Sequence, residues 1–257
     1  MNHNQSDSGK ASSPAKKSWA VCNFKAVLFF AIVTAIAAGS DLWSKSYVFD
    51  RLLSDKKVAP RIEAIKLSAK FRPQLNDLIQ KAQTDPNHTR MLMGSLQQGD
   101  DPILKEKFLP GMNLTLSTNP GVVFGIKWLP RWAVNIITIL MIFAVIGYFA
   151  FSNSKMRGLH FALGLILGGA IGNLYDRLFS SVAIPGLKVA SINGHVRDFL
   201  DCSEIGYHWI FNIADAWLVL GVGLIMIMSI LAERRAKKQK ASQADQEKTS
   251  PENEASA

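Results

Sequence analysis

VRDFLDCSEIGYHWIFNIADAW, residues 196–217, leads into an apolar run from Ala216 to Ala232 that carries no charge. Asp198 stands just before the apolar segment and Asp215 about a turn inside it. An ionised, unpaired carboxylate at the mouth of a membrane span costs roughly 2.5–3.5 kcal/mol on insertion scales. A second carboxylate that shares one proton with the first is one way to offset that cost. Whether the run crosses a membrane decides the fold, and the same test applies to the rest of the chain.

The 257 residues are 48% hydrophobic, which fits one soluble domain or several membrane spans. Clustering decides between them. Trp132–Ser154 and Gly158–Tyr175 contain no Asp, Glu, Lys or Arg, and about 20 such residues cross a 30 Å hydrocarbon core as a helix. The uncharged stretch Ala26–Ser40 is shorter. The first span therefore runs on through Asp41 and Lys45 to about Val48, or it is a signal peptide. Lys16, Lys17 and Lys25 ahead of an apolar core, and the small residues of AIAAGS (35–40), speak for the signal peptide; three further spans speak against it. The expected fold is membrane all-α, with transmembrane helices at 25–48, 131–151, 159–179 and 209–231. The tails, 1–24 and 232–257, are polar, and the first lacks apolar periodicity and reads as disordered.

The formal charge of +9 sits beside the apolar segments and in the tails, a distribution that argues against nucleic-acid binding. Lys16, Lys17 and Lys25, then Lys155 and Arg157, then Arg234, Arg235, Lys237 and Lys238 all fall on one side of a four-span chain. By the positive-inside rule that side is the cytoplasm, which leaves 49–130 and 180–208 outside. Cys22 and Cys202 then lie on opposite sides, and no disulfide framework follows. Within 49–130, RIEAIKLSAKF (61–71) and PQLNDLIQKAQ (73–83) read as short amphipathic helices able to lie on the outer leaflet, Leu and Ile inward. MNLTLST (112–118) alternates as a strand, and NPG (119–121) reads as a turn. Gly164, Gly168 and Gly172 put a smooth ridge on one face of the third span, where another helix can approach closely.

This topology sends polar residues from four segments to one layer at the outer face: Asp41 and Lys45, then Asn173, Asp176 and Arg177, then Asp198, then Asn212 and Asp215. One shared site explains the pattern. Plainer readings exist for single residues. Lys45 can snorkel to the interface, Asn173 and Asn212 can bond within the bundle, and Asp201 and Glu204 read as solvated loop residues. Ser44 beside Lys45 is a poor Ser–Lys nucleophile pair, because adjacent helical side chains diverge by about 100°. His160 lies at the inner end. A transporter or proton-conducting bundle also buries ionisable groups, but spreads them through the membrane thickness, whereas these gather at one face.

Five strings complete the picture: DLWSK (41–45), NPGVVF (119–124), GGAIGNLYDRLF (168–179), VRDF (196–199) and FNIAD (211–215). In this order across four spans they resemble the lipoprotein signal peptidases, the signal peptidase II family, over about residues 25–232. The resemblance implies Asp198 and Asp215 as the catalytic pair. It implies supporting roles for Asp41, Lys45, Asn119, Gly121, Asn173, Asp176, Arg177 and Asn212. It further implies a small extracytoplasmic β-sheet beside the bundle, and an aspartic endopeptidase of the bacterial inner membrane with no metal or cofactor. Its partners would be diacylglyceryl-prolipoproteins and membrane lipids, and it would act as a monomer. An inactive, lipoprotein-binding homologue is the remaining alternative, and both aspartates are present. The chain departs from the family pattern at Val122 and Val123, bulkier than usual, and in two lengthened segments, 46–118 and the loop from Arg177 to Asp198. The first of these is expected as a long extracytoplasmic insertion over the site entrance.

Overall fold

The computed structural model describes residues 23–69, 72–97, 104–121 and 130–249. Helix α1 (Phe24–Leu53) opens on Asn23, whose side chain accepts the Ala26 N–H. Its buried residues recur every three or four positions, from Ala26, Phe30, Val33 and Ala37 to Asp41 and Lys45, one stripe of an amphipathic helix. The helix is continuous through both charges, because they lie on the face that packs rather than the face that meets lipid. Helices α5 (Arg131–Ala150), α6 (Arg157–Phe179) and α7 (Ile213–Thr249) follow after the intervening segments. Together with α1 they are the four helices long and apolar enough to cross a membrane among the described residues. Helix α7 has 37 residues, or about 55 Å, so its charged end runs well past an apolar core.

The bundle is built on α6, which is mostly buried and packs against α1, α5 and α7. Glycines make the close approach possible. A Cβ on Gly168 would meet the Ala37 side chain and the Thr34 carbonyl of α1, and one on Gly172 would land on the Asp41 carboxylate. The ridge expected from the four-residue spacing thus seats α1, with Asp41 pressed against α6. On the other side of α6, a Cβ on Gly169 would strike the Ala214 carbonyl of α7.

A four-stranded antiparallel sheet, in the order β1 (Lys105–Leu109), β2 (Met112–Asn119), β5 (Val196–Asp201), β6 (Ile210–Phe211), sits at one end of the bundle. Strands β3 (Ser181–Val182) and β4 (Ile192–Asn193) form a separate pair. The fourth apolar helix begins at Ile213 rather than near Trp209, because Leu200 and Asp201 of β5 pair with Phe211 and Ile210. The strand expected at 112–118 is β2. Strand β5 was not anticipated, since its Arg and two Asp residues break any apolar alternation.

Helices α2 (Asp55–Ala69), α3 (Pro73–Ala82) and α4 (Pro86–Ser95) lie between α1 and the sheet. Their apolar faces do not turn toward lipid as the amphipathic pattern suggested. Ile62, Ala82, Leu92 and Met93 are buried in one core with Leu116 of β2 and Ile184 and Ile192 of the 180–195 loop. The loop is tied down by polar contacts as well. Ala190 N–H donates to Ala82 O at 2.8 Å, and the buried Thr89 hydroxyl lies 3.0 Å from Ala82 O and 2.9 Å from Ala190 O. Helices α2–α4 and the 180–195 loop are therefore packed on each other.

Candidate active site

The FNIAD string has a local explanation before it has a chemical one. Asn212 precedes the first turn of α7, its side-chain oxygen accepts the Asp215 N–H at 3.1 Å, and the Asp215 carboxylate accepts the Asn212 N–H at 3.3 Å. This reciprocal pair is a capping box with Asn at the cap and Asp three residues on. It satisfies two backbone donors at a helix start and fixes the Asp215 carboxylate in the first turn, where the helix dipole favours negative charge.

Strand β5 brings the other carboxylate. Asp198 lies opposite Ser117 in the β2–β5 register and is 3% exposed. The Asn212 amide joins the two acids: its Nδ2 donates to Asp198 Oδ1 at 2.5 Å and reaches Asn173 Oδ1 at 3.1 Å, while Asn173 Nδ2 donates to Asp215 Oδ1 at 2.9 Å. Asn119, at the end of β2, adds a hydrogen bond to Asp198, and its side-chain oxygen accepts the Gly121 N–H at 2.9 Å. Gly121 has φ +103°, a conformation that favours glycine; it shapes the turn and makes no polar contact with the acids. Burial, followed by the neighbouring Asp215 charge, pushes the Asp198 carboxyl up to about 7.

Below this layer lies a fully buried ionic network. Lys45 Nζ is 2.7 Å from Asp41 Oδ2, 3.3 Å from Asp176 Oδ2 and 2.9 Å from Asn173 Oδ1. Lys45 does not snorkel: it has no exposed surface and points inward at the groups that hold the aspartates. Asp41 Oδ1 accepts the Ala214 N–H at 2.8 Å, which pins α7 to α1 one residue before Asp215. Arg177 stands in the electrostatic field of Asp215, Asp198 and Asp176, and its buried Nε has no hydrogen-bond partner among the described residues. Ser44 Oγ donates to its own helix at Asp41 O, 2.9 Å away, and takes no part. His160 is buried at the opposite end of α6, 2.8 Å from the Ser152 hydroxyl.

Two residues differ from the sequence expectation. Asp201 is buried rather than solvated, because Lys105 of β1 reaches it at 2.8 Å and the Ser203 N–H donates to it. Arg197 is a missed component: it binds Asp176 through its backbone and its guanidinium. Its position beside Asp198 in the VRDF string was the available signal. Among the described residues, no group of three or more His, Cys, Asp or Glu side chains is arranged to hold a metal.

A family model described as signal peptidase (SPase) II matches residues 77–231, which takes in Asn119, α6, Asp198 and Asp215. The chain belongs to the signal peptidase II family. The lipoprotein signal peptidase of Halalkalibacterium halodurans is 38% identical over 128 residues, covering 49% of this chain and 74% of that protein. That of Desulfitobacterium hafniense is 35% identical over 150 residues, covering 58% and 86%, and that of Caulobacter vibrioides 34% identical over 137 residues, covering 52% and 74%. Membership makes this signal peptidase a hydrolase of the aspartic type. The family match begins after α1, so Asp41 and Lys45 join the site through their contacts with α6 and α7.

Proposed function

We propose that this signal peptidase removes signal peptides from diacylglyceryl-modified prolipoproteins, cutting on the amino side of the lipid-bearing cysteine, with Asp198 and Asp215 as the catalytic pair. The observation that carries the reading is the hydrogen-bonded bridge, Asp198–Asn212–Asn173–Asp215, at the meeting point of a strand and two apolar helices. Asp41 and Asp176 are matched by Lys45 and Arg197, which leaves Arg177 facing the two acids. The cluster is neutral when the pair holds one proton.

The proton belongs on Asp198, whose carboxyl titrates near 7. Asp215, receiving hydrogen bonds from Asn212 and Asn173 at a helix start, is placed to act as the base. In the reaction Asp215 takes a proton from water as the water attacks the scissile carbonyl. Asp198 donates a hydrogen bond to the forming oxyanion and then supplies the proton the leaving amine requires. Arg177, whose Nε has no hydrogen-bond partner among the described residues, is placed to hold the substrate's backbone or the phosphate of a neighbouring lipid.

The depth of the site suits a lipid-bearing substrate. Trp43, Trp132 and Trp209 are 67%, 66% and 62% exposed, and Tyr47, Tyr175 and Tyr207 are also exposed. All six lie on the segments that carry or adjoin the polar cluster, and such aromatic belts mark the membrane–water interface. Acyl chains can stay in lipid while the scissile bond meets the acids at headgroup level. With the basic clusters cytoplasmic, this end faces outward, and α2–α4 form an extracytoplasmic cover over the entrance. The test is direct: the purified protein, given a diacylglyceryl-modified prolipoprotein and its unmodified counterpart, should cleave the first only. Cleavage of both, or of neither, overturns the reading.

A further inference from the structure

Arg197 touches neither acid of the pair, yet it is the next residue in the chain to one of them. Alternate side chains leave a strand on opposite faces, so Asp198 turns to Asn212 while Arg197 turns to α1 and α6. There it grips both oxygens of Asp176: its backbone N–H donates to Oδ2 at 2.9 Å, and Nε and a terminal guanidinium nitrogen donate to Oδ1 at 3.0 and 2.8 Å. The guanidinium lies 5.8 Å over the centre of the Phe49 ring and 3.4 Å from the Ser46 hydroxyl. Among the described residues, the hydrogen bonds that tie the strand of Asp198 directly to α6 are those of Arg197.

We propose that Arg197 is a positioning residue of the peptidase, holding Asp176 so that Lys45 stays on Asn173 and the catalytic strand stays in place. The proposal rests on the reading of Asp198 and Asp215 as the catalytic pair. Without the guanidinium, the fully buried Asp176 would keep the Arg197 backbone N–H and the field of Arg177, but Lys45 would be its one ion-pair partner within 4 Å among the described residues. A buried carboxylate that loses a partner draws on whatever cation remains. Lys45 already lies 3.3 Å from it, and a shift that way lengthens the 2.9 Å bond to Asn173, the residue that holds Asp215.

Charge adds a second route. The pair feels Asp41 and Lys45 from α1, Asp176 and Arg177 from α6, and Arg197 from β5 itself, while β2 offers the uncharged Ser117, Thr118 and Asn119. Loss of Arg197 makes the cluster one charge more negative, and the pair as a unit then holds its protons to higher pH.

The test uses Arg197→Ala, Arg197→Lys and Arg197→Gln in the full chain, with a diacylglyceryl-modified peptide as substrate and kcat and KM measured from about pH 5 to pH 9. Arg197→Ala should lower kcat about a hundredfold with KM changed less than about threefold, the scale of an ångström-sized misplacement, and should move the acid limb of the kcat profile to higher pH. Arg197→Lys should return that limb toward wild type, because the charge is restored. Arg197→Gln, which keeps a donor and lacks the charge, should leave the limb displaced. An Ala variant with wild-type kcat and pH profile overturns the proposal. So do three variants that lose kcat only in proportion to folded protein, with the limb unmoved. Either outcome beside an inactive Asp198→Asn leaves the catalytic pair standing, whereas an active Asp198→Asn sinks the pair itself.

Discussion

Replacing Asp198 by Asn removes a titratable group with almost no change of shape. The Asn oxygen can still accept the Asn212 amide that now lies 2.5 Å from Asp198 Oδ1. Catalysis should fall by at least the 10²–10⁴ that a positioned acid–base group contributes, about three to five kcal/mol. Stability should move the other way. Asp198 titrates at about 7 in the folded protein and at about 3.9 in an unfolded chain. The raised folded value means that its contribution is fully present below about pH 4 and is lost as pH rises through about 7, a total of about 4 kcal/mol. Asn never ionises and incurs no such loss. The variant should therefore gain stability on the parent between about pH 4 and pH 8 and hold that gain above it. Thermal unfolding of both proteins in the same detergent, at pH 5 and pH 8, measures the difference. A gap in Tm that does not widen with pH, or a variant less stable at pH 8, would show that Asp198 is not a buried carboxyl holding a proton.

The same titration governs the enzyme: turnover should decline as pH rises through about 7, where Asp198 loses the proton it must donate, and a flat profile to pH 9 would remove its role as the acid. Gly172→Ala places a methyl on the Asp41 carboxylate, so unfolding should come about 1–3 kcal/mol earlier and cleavage should be impaired. Gly39→Ala, with nothing within 4 Å of the new methyl, should match or exceed the parent by up to about 1 kcal/mol with turnover intact. Thr89→Val leaves the Ala190 carbonyl without its hydroxyl partner; a loss of about 1–2 kcal/mol is expected, with cleavage of a small lipopeptide retained. Ser44→Ala should stay fully active, since among the described residues its hydroxyl bonds only its own helix; an inactive variant would reopen a Ser–Lys mechanism.

The residues of the site were legible because membrane spans make polarity conspicuous. Asp41 and Lys45 sit on the helical stripe that continues Val33 and Ala37, and the glycines of α6 announce the face that receives them. The partnerships were not legible. Arg197 finds Asp176 twenty-one positions away, and Asp201 finds Lys105 across the intervening strand β2; read locally, both look like loop charges. Helices α2 and α3 showed the right periodicity, but an apolar face cannot say whether it meets lipid or protein. That depended on Ile184 and Ile192, which arrive more than a hundred residues later. Helix α4 escaped notice because PNHTRMLMGS is largely polar; its burial rests on Leu92, Met93 and Thr89 alone.

The pairing of Asp41 with Lys45 one helical turn later also bears on how the chain is made. Asn173 emerges from the ribosome 128 positions after Lys45, on the order of ten seconds at ordinary translation rates. During that interval α1 has neither α6 nor α7 to receive its two charges. Each alone would cost roughly 2.5–3.5 kcal/mol at a helix centre. As neighbours at 2.7 Å on one face they cancel, so the newborn helix can enter the bilayer carrying its own counterion. The bond that later orders the finished site first serves as a travelling pair, and a change such as Asp41→Ala would penalise biogenesis before any substrate is met.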